Sequence, residues 1–283
     1  MTILITGANG QLGQDIRKEC DRRGIPYIAA DSRSLDITNK RAVRAYVKDR
    51  APETIINCAA YNAVDQAETE WRRAYQVNGL AVRNLALAAR EMDAVLVHFS
   101  TDYVFDGSST HPYTIVDAPN PISRYGKSKL LGEQEVFTLS DQFFLIRTSW
   151  VFGTGNVNFA RKVLEWIRDR DILNIVNDQV SSPTYTKDLA RASLDLSKTE
   201  NFGLYHITNS GSCSRYDWAR FILETIGWKG SLCPVKSTDF PSPARRPTYS
   251  VLDNFGSREA LGYDLPSWET ATLDYLIEMD AIP

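Results

Sequence analysis

A chain of 283 residues with 43% hydrophobic and 24% charged side chains can bury a substantial core, which excludes disorder, collagen-like repeats and small disulfide scaffolds. Its 32 Lys and Arg against 35 Asp and Glu leave a net charge of −3, so no global basic field holds nucleic acid or an anionic membrane. Any anionic ligand must be captured locally.

The N-terminus runs straight into Thr2-Ile3-Leu4-Ile5-Thr6, without the basic start and cleavage site of a signal peptide. No apolar run nears the roughly 18 residues that span a bilayer, and a cytoplasmic location is expected. That first strand leads into Gly7-Ala8-Asn9-Gly10-Gln11-Leu12-Gly13 and an amphipathic stretch to Arg23. Gly7 suits a tight turn, Gly10 lets backbone approach a pyrophosphate at the helix N-terminus, and Gly13 permits close helix packing. A dinucleotide site is expected, with Gln11 and Leu12 in its first helical turn.

Further strands are expected at Tyr27-Ile28-Ala29, Thr54-Ile55-Ile56, 95–99, 143–146 and 172–176, with helices over 40–50, 71–90 and 123–137. Short apolar strands alternating with amphipathic helices predict a doubly wound parallel α/β sheet of Rossmann type. The expected division is a dinucleotide-binding domain over 1–150, continuing in part to about 180, and a smaller, interleaved substrate lobe over 151–283. Glycines and a proline cluster punctuate the latter. The four cysteines, at 20, 58, 213 and 233, form no C-x-x-C and no cluster with the histidines. They read as reduced thiols, and no metal site is expected.

Asp31 follows the second strand, where a carboxylate would hydrogen-bond an adenosine ribose, which favours NADH. Ser32 and Arg33 come next and could take the 2′-phosphate of NADPH, so use of either is left open. Asp36 and Ile37 would flank the adenine, unless Asp36 belongs to a surface turn before a helix cap at Thr38 or Asn39. Cys58, Ala59, Ala60 and Tyr61 end the third strand with mostly small residues against which a cofactor can lie.

Ser100-Thr101-Asp102 closes the fourth strand, and Tyr125 and Lys129 stand four residues apart on one helix face. A phenol near pKa 10 is a poor acid at neutral pH; a neighbouring ammonium is expected to lower it, while Thr101 donates to a carbonyl oxygen that gains charge. With these residues placed, the chain resembles the extended short-chain dehydrogenase/reductase superfamily and, more narrowly, the dTDP-4-dehydrorhamnose reductase family. The resemblance rests on Ile3 to Gly13, Ser100 to Gly107, Tyr125 to Lys129, Arg147 to Trp150, Asn177-Asp178-Gln179 and Pro243 to Pro247.

The resemblance implies NADPH- or NADH-dependent reduction of the 4-keto group of dTDP-4-dehydro-L-rhamnose, which completes an activated sugar for surface polysaccharide. It implies catalysis by Thr101, Tyr125 and Lys129, the last also holding the nicotinamide ribose. Thr101, Asp102, Tyr125 and Trp150 would contact the sugar, and Arg245 and Arg246 would suit its diphosphate. Two departures stand out. Gln66 and Asn62 replace the family's usual lysine and threonine, and Gln14-Asp15 replaces the glutamate through which some members dimerise around magnesium. A homodimer is left open. Competing readings are a related epimerase or dehydratase, and a non-catalytic subunit like that of methionine adenosyltransferase. A dehydratase would need a glutamate where Tyr103 stands.

Overall fold

The structure, a computed structural model, describes residues 2–155 and 158–282. Strands β1 (Ile3–Thr6), β2 (Tyr27–Ala30), β3 (Thr54–Asn57), β4 (Val95–Thr101) and β5 (Phe143–Thr148) lie where the apolar runs place them, each slightly longer. All pair in parallel, in the order β5-β4-β3-β1-β2, with Gly203–His206 added outside β5. Helices cover both faces, so β1 and β3 are wholly buried and need no polar alternation. Ile3, Ile5, Ile56 and Val97 form one apolar layer, while Leu4, Ile55 and Leu96 form the other.

The sixth strand differs from expectation. Ile172–Val176 lies outside the central sheet and pairs in parallel with Ser231–Val235. Its burial alternates, with Ile172 62% exposed and Leu173 buried, so it covers only one side of the C-terminal core around Trp218 and Tyr275. Gly203–His206 takes the place in the sheet. The sheet therefore reaches well past residue 180.

Helices α1 (Gln11–Arg23) and α2 (Lys40–Arg50) match the expected spans, and Asn39 caps α2 by accepting from Arg41 and Ala42 N–H. The stretch over 71–90 is interrupted: α3 (Trp71–Tyr75) and α4 (Ala81–Glu91) flank a π-helical turn, Gln76–Leu80. That turn carries the buried Asn78, whose carboxamide exchanges bonds with the Tyr61 backbone (2.8 and 3.0 Å) and donates to Ser128 Oγ at 2.9 Å. Asn78 thus ties the loop after β3 to helix α5 (Arg124–Leu139). Among the described residues no helix is long and apolar enough to cross a membrane.

Candidate active site

Register places Thr6, Asn57, Thr101 and Thr148 along one edge of the sheet, at the carboxyl ends of four adjacent strands. The chain order reverses between β2 and β3 around β1, the topological point at which open α/β sheets bind ligands. A cleft of about 800 Å³ opens there.

Gly7 begins it, with φ +65°, and a Cβ on Gly7 would stand 2.5 Å from Ala59 N, so the turn touches the loop after β3 directly. Asn57 holds that loop open, accepting from Thr6 Oγ1 at 2.6 Å and from Ala59 N at 3.2 Å. Helix α1 starts at Gly10 without a side-chain cap, leaving its first N–H groups to the cleft. Gly7, Gly10, Gln11, Leu12, Asp31, Ser32, Asp36, Ile37, Cys58, Ala59, Ala60 and Tyr61 all line the wall.

Asp31 is also a turn organiser. One carboxylate oxygen accepts from Arg33 N, Ser34 N and Ser34 Oγ, and the other from Asn9 Nδ2 at 2.9 Å. These bonds hold its pKa below the ordinary carboxylate range, Ser34 contributing most. Asp36 closes the next turn by accepting from Thr38 N and Oγ1.

At the other end, Thr101 caps a short 3₁₀ turn: Oγ1 accepts from Tyr103 N at 3.2 Å and donates to Asp102 Oδ1 at 2.9 Å. Tyr125 stands in hydrogen-bonding reach of Thr101. Its neighbour must be glycine, because a Cβ on Gly126 would lie 2.2 Å from Tyr103 O. Tyr103 packs edge-on against the Tyr125 ring, 5.9 Å between centroids.

The expected lowering of the Tyr125 pKa is absent. Burial pushes the phenol well up, because the Lys129 ammonium turns away and donates to Phe99 O at 2.5 Å. Burial also brings Lys129 down to about 8, opposed by Glu133 one turn along. Tyr125 therefore keeps its proton throughout the neutral range.

Trp150 follows β5 with φ +43°, a conformation that a bulky side chain rarely adopts. A stack holds it there: the Arg215 guanidinium lies 3.6 Å from its ring centroid, and Trp218 lies parallel at 6.0 Å.

A family described as RmlD substrate binding domain matches residues 1–281. A dTDP-4-dehydrorhamnose reductase of Aggregatibacter actinomycetemcomitans is 39% identical over 282 residues, which cover 95% of this chain and 96% of that one. The chain belongs to the RmlD substrate binding domain family. Among solved structures, a dTDP-4-dehydrorhamnose reductase of Clostridium acetobutylicum matches with TM-score 0.96 and 41% identity, covering 99% of this chain and 100% of its own. One of Bacillus anthracis, in complex with NADP, matches with TM-score 0.95 and 38% identity, covering 98% and 99%.

The residues fit the nicotinamide dinucleotide of this family. An uncapped helix N-terminus, a glycine turn in contact with the Ala59 loop and a carboxylate at the tip of β2 border one continuous cleft.

Four residues expected at the site lie off the cleft wall. Gly13 packs beneath the turn, where a Cβ would meet Gly7 O at 2.5 Å. The Arg33 side chain is exposed beyond the wall, and Arg245 is exposed on a turn. Arg246 pairs with Asp65 at 2.8 Å and bonds Ala244 O, behind Tyr103 of the cleft wall. Asp102 does line the cleft but is 2% exposed, and its oxygens are taken by Thr101, Ser250 and Ser181.

The family motifs also omit Arg215. It lines the cleft, forms no ion pair among the described residues, and is lowered by burial only to about 10, so it is charged at neutral pH. It occupies the first turn of Arg215–Thr225, where a cation opposes the helix dipole. That misplacement was its one local signal. Asp15, the acidic residue after Gly13, turns inward to Thr186 Oγ1 at 2.5 Å and Lys18 at 2.9 Å. Among the described residues no group of three His, Cys, Asp or Glu could hold a metal.

Proposed function

We propose that this chain reduces the 4-keto group of dTDP-4-dehydro-L-rhamnose to give dTDP-L-rhamnose, with NADPH or NADH as reductant. One observation carries the reading: a single cleft runs from the Gly7–Gly10 turn past Thr101, Tyr125 and Lys129 to Trp150 and Arg215. In this reading Gly7, Gly10, Gln11 and Leu12 hold the pyrophosphate. Asp31 and Ser32 take the adenosine ribose, Asp36 and Ile37 the adenine, and Cys58 to Tyr61 the nicotinamide half.

The bound reduced dinucleotide supplies the hydride equivalent. Tyr125, whose pKa is raised, delivers the proton to the sugar oxygen, which is what a reductase asks of a general acid. Thr101 donates to the same oxygen as charge develops on it. Lys129, held by Phe99 O, keeps a positive charge on the same cleft wall. Trp150 offers a flat face to the sugar ring, and Arg215 with its helix N-terminus offers positive charge to the diphosphate. Tyr103 stands where a dehydratase would need glutamate, and it is committed to packing on Tyr125.

The reading is tested by nicotinamide absorbance on mixing the protein with NADPH or NADH and dTDP-4-dehydro-L-rhamnose generated in situ. Oxidation that depends on the sugar nucleotide supports it; cofactor binding without oxidation refutes it. Arg215→Ala is expected to raise KM for the sugar nucleotide roughly 10- to 100-fold, the worth of a lost charge-assisted contact, with a smaller change in kcat. An unchanged KM would move the diphosphate elsewhere.

Lys129 has a depressed pKa of about 8, so its ammonium persists below that pH and is lost above it. kcat is therefore expected to fall as pH rises through about 8. A profile flat to pH 10 would remove the charge of Lys129 from the mechanism.

A further inference from the structure

Threonine has one hydroxyl proton. Thr101 directs it at Asp102 Oδ1, 2.9 Å away, while its lone pair accepts from Tyr103 N. The donor that the reduction requires is thus committed to a neighbouring carboxylate. Asp102 is itself gripped from the C-terminal half. Oδ2 accepts from Ser250 Oγ at 2.6 Å, and Ser181 Oγ shares its one proton between Ser250 O at 3.1 Å and Oδ2 at 3.4 Å. Asp102, Ser181 and Ser250 are all at most 2% exposed, so no bulk water competes for these bonds.

We infer that Asp102 is a positioning residue for the reduction, setting where the Thr101 hydroxyl points, and that Ser250 and Ser181 in turn set Asp102. The inference rests on the reductase reading of Thr101. With Asp102 ionised, a charge-assisted bond holds the Thr101 proton away from the sugar oxygen. Protonation loosens that hold in either position. On Oδ1 the acid donates to Thr101 and turns its proton toward the cleft; on Oδ2 it leaves Oδ1 a neutral, weaker acceptor.

The surroundings allow this change near neutral pH. Burial raises Asp102 to about 6, opposed by the hydroxyls of Ser250 and Thr101 and by the Arg215 charge. The other titratable groups facing this corner are Tyr103 and Tyr125, both pushed up by burial and uncharged at that pH. Arg246, paired with Asp65, stands within hydrogen-bonding reach of Tyr103.

The experiment combines kcat–pH profiles with carbon-13 titration of the Asp102 carboxyl, for the wild type and for Asp102→Asn, Ser250→Ala and Thr101→Val. In the wild type kcat is expected to fall toward tenfold per pH unit above a midpoint near 6, matching the carboxyl titration. Asp102→Asn, whose amide can donate permanently to Thr101, loses that step and keeps the fall near pH 8. Ser250→Ala removes a donor that favours the charged form, and moves both midpoints up by about one pH unit or more.

Should Thr101→Val turn over like the wild type, the role of Thr101 fails and the inference with it. If Thr101→Val is crippled while Asp102→Asn keeps the step near 6, the inference alone fails. A carboxyl midpoint at the ordinary aspartate value, unmoved by Ser250→Ala, overturns it whether or not turnover is seen.

Discussion

Tyr125→Phe is expected to lower kcat by about 10²- to 10⁴-fold with KM for the sugar nucleotide little changed, the usual worth of one positioned general acid. The substitution removes one oxygen and no packing. Tyr125 is 9% exposed, and its ring rests against Ala67, Ala74 and the edge of Tyr103, contacts that phenylalanine keeps. Thermal unfolding should therefore match the wild type while turnover collapses. The raised pKa sharpens the expectation, because no other described side chain at this corner combines an intact proton at pH 7 with hydrogen-bonding reach of Thr101 and a place on the cleft wall. Wild-type turnover in the variant would mean that the proton comes from elsewhere and that Tyr103–Tyr125 packing is structural.

Much of this site could be read from residue order, because its parts are local devices. A glycine turn between a strand and a helix, a Tyr and a Lys one helical turn apart, and hydroxyls at a strand end each need only neighbours in sequence to form. What escaped reading depends on contacts made across the chain. Asp102 meets Ser250, 148 residues away, and no spacing rule announces that bond. Lys129 faces Phe99 O in place of the phenol, so the direction of the Tyr125 shift follows from burial and not from the Tyr–Lys spacing. Ile172–Val176 has the composition of a central strand but finds its partner at Ser231–Val235. Two basic residues, Arg245 and Arg246, drew attention as a pair, whereas the arginine on the cleft wall beside Trp150 is Arg215. Its place in the first turn of a helix, against the dipole, was the only local hint.

Behind the catalytic residues lies an ion pair whose disruption is expected to cost the most stability of any single change considered. Glu133 and Arg147 are 0% and 2% exposed at the side chain and meet in two parallel bonds of 2.9 and 2.7 Å. Ser100 Oγ donates to Glu133 at 2.5 Å, and the guanidinium lies 5.1 Å over Phe105 with His206 Nε2 at 3.4 Å. Burial and the Arg147 charge bring His206 down to about 3, so it stays neutral and leaves Glu133 as the counter-charge. Glu133→Ala strands a guanidinium out of water, at about 3–5 kcal/mol, and lowers Tm by roughly 10 °C. A double variant with Arg147→Met should recover much of the loss, since two apolar side chains carry no stranded charge. A loss below about 1 kcal/mol in Glu133→Ala would show that water reaches the pair. The milder Glu133→Gln carries the same argument into catalysis. Glu133 is the one charge that raises the Lys129 pKa against its burial, and removing it lets that pKa fall further. The alkaline limb of kcat, expected near pH 8, should then move to lower pH while the step attributed to Asp102 stays in place.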